Sequence, residues 1–179
     1  VIVVGAVGID TNIYLYDSEI DCGVEANFSE NLDNIGQAGG YSARGYNRLG
    51  YRTAFIGYVG DDYHGEHIRE QFRREGIGGE GIFPDPRGTK RSINFMYPDG
   101  RRKNFYDGKG SMQTIPPLEA CRRIISGARL AHVSIVNWTR YLLPILRQEG
   151  LLVASDIQDV TDTEDPYRRD YIEQSDILF

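Results

Sequence analysis

The chain has 179 residues, 40% of them apolar, with 21 glycines and a formal net charge of −6. That length can bury roughly two thirds of its unfolded surface in one α/β domain, and the composition is that of a globular, turn-rich protein rather than a disordered one. Basic residues come in short runs such as Arg73-Arg74 and Arg101-Arg102-Lys103, diluted by acids, so no basic stripe marks a nucleic-acid partner, and no stretch approaches the roughly 18 apolar residues of a membrane span.

The run Val1-Ile2-Val3-Val4 reads as a buried strand closed by Gly5-Ala6-Val7-Gly8. The spacing is G-x-x-G, not the G-x-G-x-x-G of a dinucleotide turn. Asp10 to Asp17 then alternates and is rich in β-formers, which predicts a second strand. A strand presents no helix N-terminus to an anion, so the glycine turn is not expected to hold phosphate. It leaves Asp10 at the carboxyl end of the first strand, where open α/β sheets bind ligands. The residue types alone also allow a plainer role for Asp10, as a turn residue that caps local N–H groups. Residues 11–38 show only a weak helical period. Gly39-Gly40 then precedes a short helix ending at Leu49-Gly50; the same pair could be an ordinary loop.

From about residue 50 strands and helices alternate. Residues 53–59 predict a strand. Residues 63–75 predict a helix with Ile68 and Phe72 on one face, opened by Asp61 or Asp62 and closed by Gly76. A helix follows Pro116-Pro117, with Leu118, Cys121, Ile124, Ile125 and Ala128 on its apolar side. Next come a strand over 130–136, a helical stretch containing Pro144, a strand over 151–157, a helix over 167–174 and a strand from Asp176. Such β-α-β repeats mean a parallel sheet with helices on both faces. Residues 88–112 break the rhythm: Asp99-Gly100 between alternating runs is a hairpin signal. Strands inserted in this way predict a small projecting sheet, a lid over the main sheet's edge. The chain starts at Val1 already within a strand, and Asp176 to Phe179 reads as half of a core strand, so the expectation is the N-terminal part of a longer domain.

Several other features carry bland readings. Cys22 and Cys121 fit no metal or redox spacing and suggest a reducing cytoplasm. His64 and His67 lie three apart with no third ligand, as in a solvated helical turn. His132 reads as a satisfied core or sheet-end histidine. Asp159, Asp162, Glu164 and Asp165 lack calcium-loop spacing. Tyr14, Tyr16, Tyr41, Tyr46 and Tyr51 could stack on a sugar, but strand packing or a lid-to-lid contact suits most of them better.

Asp10, Gly39-Gly40, and above all the run RLGYRTAFIGYVGDDYHGEHIREQFRREGI over residues 48–77 resemble the ribokinase-like (PfkB) carbohydrate kinases, essentially along the whole chain. The resemblance implies a mostly parallel α/β sheet with a β lid near 11–38 and 88–112, all of 1–179 forming the N-terminal part of one domain. It implies transfer of the ATP γ-phosphoryl group, with Mg²⁺, to a hydroxymethyl group of a sugar, nucleoside or related alcohol, and a homodimer through the lid. Asp10 would then receive sugar hydroxyls, and Gly39-Gly40 would let backbone approach the sugar. Phe95, Tyr97 or Tyr106 would cover it from the lid. Asp156 and Gln158 stand where similar kinases carry Asp-x-Asn near the transferred phosphate, so Gln158 is a departure. Arg44 stands in the place of a sugar-contacting Asn, with Asn47 as the alternative, in a helix about one turn short. The family's catalytic Asp, anion hole and Asn-x-x-Glu motif do not occur in these residues, which alone are expected to be inactive. A non-catalytic sugar-binding or regulatory module of the same fold is the alternative; a Rossmann oxidoreductase is disfavoured by the turn spacing.

Overall fold

A computed structural model of the chain describes residues 1–160, 162 and 165–179; Glu164 of the acidic stretch lies outside them. β1 (Ile2–Val4) is buried on both faces, as a central strand of a parallel sheet must be. The chain then leaves that sheet for an antiparallel pair, β2 (Gly8–Leu15) and β3 (Ser29–Gly36), and returns through α1 (Gln37–Arg48). β4 (Ala54–Val59), α2 (Tyr63–Glu75) and β5 (Gly78–Pro84) follow, and then the hairpin β6 (Lys90–Met96) and β7 (Arg102–Asp107). The last part is α3 (Leu118–Ile125), β8 (Leu130–Ser134), a 3₁₀ helix (Asn137–Leu142) running into α4 (Leu143–Gln148), β9 (Leu152–Asp156), α5 (Arg169–Gln174) and β10 (Ile177–Leu178).

Two sheets result. The six-stranded sheet runs β10-β9-β8-β1-β4-β5, with every pair parallel. β1 is the turning point: the chain winds outward through β4 and β5 on one side and through β8, β9 and β10 on the other. Strand alternation then serves two cores. Val3, Phe55 and Val59 pack with Ala43 of α1 and Ile68 and Phe72 of α2. Ile2, Val4 and Ile56 pack on the other face with Cys121 and Ile125 of α3, Trp138, and Leu146 of α4. The four-stranded sheet, β3-β2-β6-β7, leaves the first at its carboxyl edge. Its centre is a parallel pair, β2 beside β6, with Gly8 opposite Lys90.

α2 has the bounds the sequence predicts. Asp62 accepts the Gly65 N–H at 2.8 Å, and Gly76 ends the helix at φ 74°. Two differences from the sequence expectation bear on the cleft. The lid expected near residues 11–38 is built from two strands joined by a long loop, β2 and the polar, largely exposed β3, of which only the first is signalled by alternation in the sequence. And Gly39-Gly40 does not precede the helix but lies inside α1, buried. The reason is a close approach of backbones: a Cβ on Gly39 would sit 2.7 Å from the Ala6 carbonyl oxygen, and the Gly40 N–H donates to that oxygen at 3.1 Å. Among the described residues no helix is long and apolar enough to cross a membrane.

Candidate functional site

Between the carboxyl ends of β1 and β8 and the inner face of the four-stranded sheet lies a cleft of about 910 Å³. It sits where the strand order reverses, the place at which open α/β sheets bind ligands. Ala6 after β1, and Ile135, Val136 and Asn137 after β8, form its floor. Asp10 stands at the root of the projecting sheet, 7% exposed, and lines the cleft.

The Asp10 carboxylate is tightly held. The Gln37 backbone N–H donates to Oδ2 at 3.2 Å and the Gln37 side-chain amide donates to Oδ1 at 2.6 Å. The same amide donates to Ser92 Oγ at 2.8 Å, joining β2, α1 and β6. Gln37 achieves this with φ 65°, a left-handed conformation that costs a non-glycine residue energy and persists only where its surroundings impose it. Burial, followed by the proximity of the Asp10 carboxylate, pushes the Tyr41 phenol up to about 12; Tyr41 therefore stays neutral beside that carboxylate. Gly36 makes the room: a Cβ there would lie 2.1 Å from Asp10 Oδ2. Gly36→Ala is expected to displace the carboxylate and to cost about 1–3 kcal/mol of stability, as overpacking does. Chemical denaturation reads the cost; an unchanged midpoint would show that the carboxylate yields freely.

Register and alternation place three successive rows of side chains on the inner face. The first is Asp10, Ser92 and Tyr106; the second Asn12, Asn94 and Asn104; the third Tyr14, Met96 and Arg102. Tyr106 thus faces the cleft, as expected of a cover residue. Phe95 does not: it falls on the opposite face, against Phe105 with ring centroids 5.9 Å apart. Tyr97 lies beyond β6, under the Arg101 guanidinium.

Other expected contacts are not brought to the cleft. The Arg44 guanidinium grips Glu75 at the end of α2, with Nε 2.9 Å from Oε2 and Nη2 2.7 Å from Oε1; that hydrogen bond holds the Glu75 carboxyl below its usual range. The Asn47 side-chain amide donates to the Glu75 carbonyl oxygen at 2.8 Å. Both residues tie α1 to α2 and stand off the lining. Gly39 and Gly40 support the floor from within α1 rather than lining it. Gln158 does line the cleft, at φ 54°, and its N–H donates to Asp156 Oδ1 at 3.1 Å. Asp156 is not part of the lining. His132 is satisfied by Ser42 and Tyr46, with burial lowering its pKa.

Sequence reading passes over Gln37, Ser92, Asn94 and Asn104 as site residues, and singles out Tyr41 only as one of five tyrosines. Alternation along 90–96 and 102–107 could have grouped Ser92, Asn94 and Asn104; nothing local announces a left-handed Gln37. Among the described residues no group of three His, Cys, Asp or Glu side chains could hold a metal ion. Of the cations in the lining, Lys109 is already paired with Asp107 at 2.6 Å. These residues by themselves do not compose a magnesium–ATP site.

A sequence profile of the pfkB family carbohydrate kinase matches residues 1–178. Acarbose 7(IV)-phosphotransferase of Actinoplanes sp. (strain ATCC 31044 / CBS 674.73 / SE50/110) is 28% identical over 167 residues, which is 89% of this chain and 53% of that protein. 5-Dehydro-2-deoxygluconokinase of Photobacterium profundum is 27% identical over 135 residues, 74% of this chain and 39% of the relative. The chain therefore spans about half or less of the curated relatives it matches. Among solved structures, the microbiome-derived acarbose kinase Mak1 superposes with a TM-score of 0.88 at 30% identity, over 99% of this chain and 59% of that one. The ribokinase from Giardia lamblia superposes at 0.82 with 15% identity, over 99% and 56%, a likeness of fold.

Proposed function

The chain belongs to the pfkB family of carbohydrate kinases, and from that premise we propose that it carries the sugar-binding part of an ATP-dependent phosphotransferase acting on a hydroxymethyl group of a sugar or sugar-like alcohol. One observation carries this reading: a buried carboxylate, Asp10, fixed by Gln37 and beside Tyr41 under a projecting β sheet, at the switch point of a parallel sheet. Such a carboxylate accepts hydroxyl protons strongly, because charge-assisted hydrogen bonds are worth roughly twice neutral ones. Ser92 and Tyr106 on the same row offer neutral donors and acceptors, and Tyr106 adds an apolar ring face. The four-stranded sheet stands over the cleft as a cover, and a cover that keeps water from the acceptor hydroxyl favours transfer to sugar over hydrolysis.

ATP and Mg²⁺ supply the phosphoryl group and its charge neutralisation when bound. The cleft residues of this chain orient the acceptor. Residues 1–179 alone are accordingly expected to bind sugar without turning over ATP, as the N-terminal part of one domain. Arg44 and the short α1 are the features that favour a non-catalytic module; Arg44 is engaged with Glu75 and not turned to the cleft. The outer face of the projecting sheet, with Ile93 and Phe105 exposed, is apolar enough to pair with a second copy, and a cytoplasmic setting is in keeping with the free Cys22 and Cys121. The test is ATP turnover by the intact protein against a panel of sugars and nucleosides. Phosphorylation of a sugar is expected; phosphorylation of none overturns the reading.

A further inference from the structure

The second inner-face row is made of amides alone on three adjacent strands. Asn104 of β7 donates its side-chain N–H to Asn94 Oδ1 at 2.7 Å, and Asn94 of β6 donates to Asn12 Oδ1 at 3.0 Å. The register puts all three directly opposite one another. Asn94 is 5% exposed, yet it lines the cleft together with Asn104. A side-chain amide has two N–H donors and a carbonyl oxygen with two lone pairs. The ladder uses one donor and one lone pair of Asn94 and one donor of Asn104. Each is left with a further donor and acceptor at the cleft wall.

Asn94 is the buried member of the ladder, and a buried amide is costly unless its remaining groups find partners. The matching partner is one that both gives and takes a hydrogen bond at each point, which a hydroxyl does and a methyl or phosphate does not. The row holds no aromatic ring on which a nucleobase would stack. It lies two residues along the strands from Asp10, a step of about 6.6 Å, comparable to the advance made by one ring of a saccharide chain. The third row, with Tyr14 and Arg102, continues in the same direction, away from the main sheet.

We propose that Asn94 and Asn104 form a second carbohydrate subsite, so that the acceptor is an oligosaccharide with one ring on the Asp10 row and the next on the asparagine row. This rests on the sugar-binding reading of the cleft. An acceptor of one ring leaves the amides to water; an acceptor of two or more satisfies them with hydroxyls. Length, more than the identity of the first ring, then decides affinity.

The test is calorimetric titration of the intact protein with glucose and with maltotriose, in the wild type and in Asn104→Leu. Asn104 is exposed, so its loss leaves the fold standing, which thermal unfolding checks; Asn94→Leu is the second variant. Maltotriose is expected to bind at least ten-fold more tightly than glucose, and Asn104→Leu to weaken maltotriose at least five-fold more than glucose. Equal affinities for the two sugars, or an equal loss for both in the variant, overturn the subsite and leave the sugar-binding reading intact. Binding of neither sugar overturns the subsite and leaves the sugar-binding reading to the turnover panel, and tighter binding of adenosine than of maltotriose replaces the subsite with one for a nucleoside.

Discussion

Lys90→Ala is expected to lower the unfolding free energy by about 3–5 kcal/mol, the range found when one partner of a buried ion pair is removed. Lys90 starts β6 with its side chain 1% exposed, and its ammonium lies 3.7 Å from the Asp85 carboxylate, also 1% exposed. Nζ also reaches the Tyr58 carbonyl oxygen at 3.5 Å. Asp85 in turn accepts the Arg87 and Gly110 N–H groups, both at 3.0 Å. The pair thus clamps the loop after β5, the start of β6 and the segment after β7, the points from which the projecting sheet is hung. Burial pulls the Lys90 pKa down while Asp85 opposes it, so each buried charge relies on the other as its countercharge. Removing the ammonium leaves a buried carboxylate with two N–H donors and no countercharge. Asp85→Asn combined with Lys90→Met removes both charges and is expected to recover much of the loss, because apolar replacement of a buried pair is often close to neutral. Denaturant unfolding of the single and double variants reads the coupling. A single-variant loss below about 1 kcal/mol, in the range of exposed pairs, would show that water reaches the pair.

Asp10→Ala is expected to raise KM for the sugar by about 10- to 100-fold, with KM for ATP little changed. Of the roughly four lone-pair positions of a carboxylate, the Gln37 backbone and side-chain N–H groups take two. That leaves acceptor capacity toward the cleft, and one hydrogen bond to a charged group is worth about 1.5–3 kcal/mol, or one to two decades of affinity. Asp10→Asn keeps an oxygen and loses the charge, so its loss should be the smaller of the two. Steady-state kinetics of the intact protein separate the cases: an unchanged sugar KM in Asp10→Ala would take Asp10 out of the site, and a rise in the ATP KM of similar size would place it near the phosphates instead.

How far the sequence reaches depends on the distance over which its signals act. α2 is legible because its cap, its apolar face at Ile68 and Phe72 and its terminating Gly76 all lie within one short stretch. The hairpin is legible for the same reason, with Gly100 at φ 88° where the turn requires it. Asp10 is readable as a cleft residue because a glycine turn separates it by only a few residues from a buried strand. β3 is not legible as a strand, since Ser29–Gly36 is an exposed polar edge strand whose pairing comes wholly from β2. Arg44 and Asn47 look like site residues in the sequence because their position along α1 is visible there and their partner, Glu75, is not. The asparagine ladder needs the register of three strands distant in sequence, and Gln37's strained backbone is imposed by Asp10 and Gly36 together.

The parallel pairing of β2 with β6, residue 8 beside residue 90, has a kinetic corollary. A contact between such remote segments closes a long loop, and that closure entropy is met before the pairing repays it. The β1–β4–β5 unit, joined through nearer neighbours, is therefore expected to condense first. During synthesis the wall opposite Asp10 is completed only after residue 107 has emerged, so the cleft is among the last features of the nascent chain to acquire its native shape.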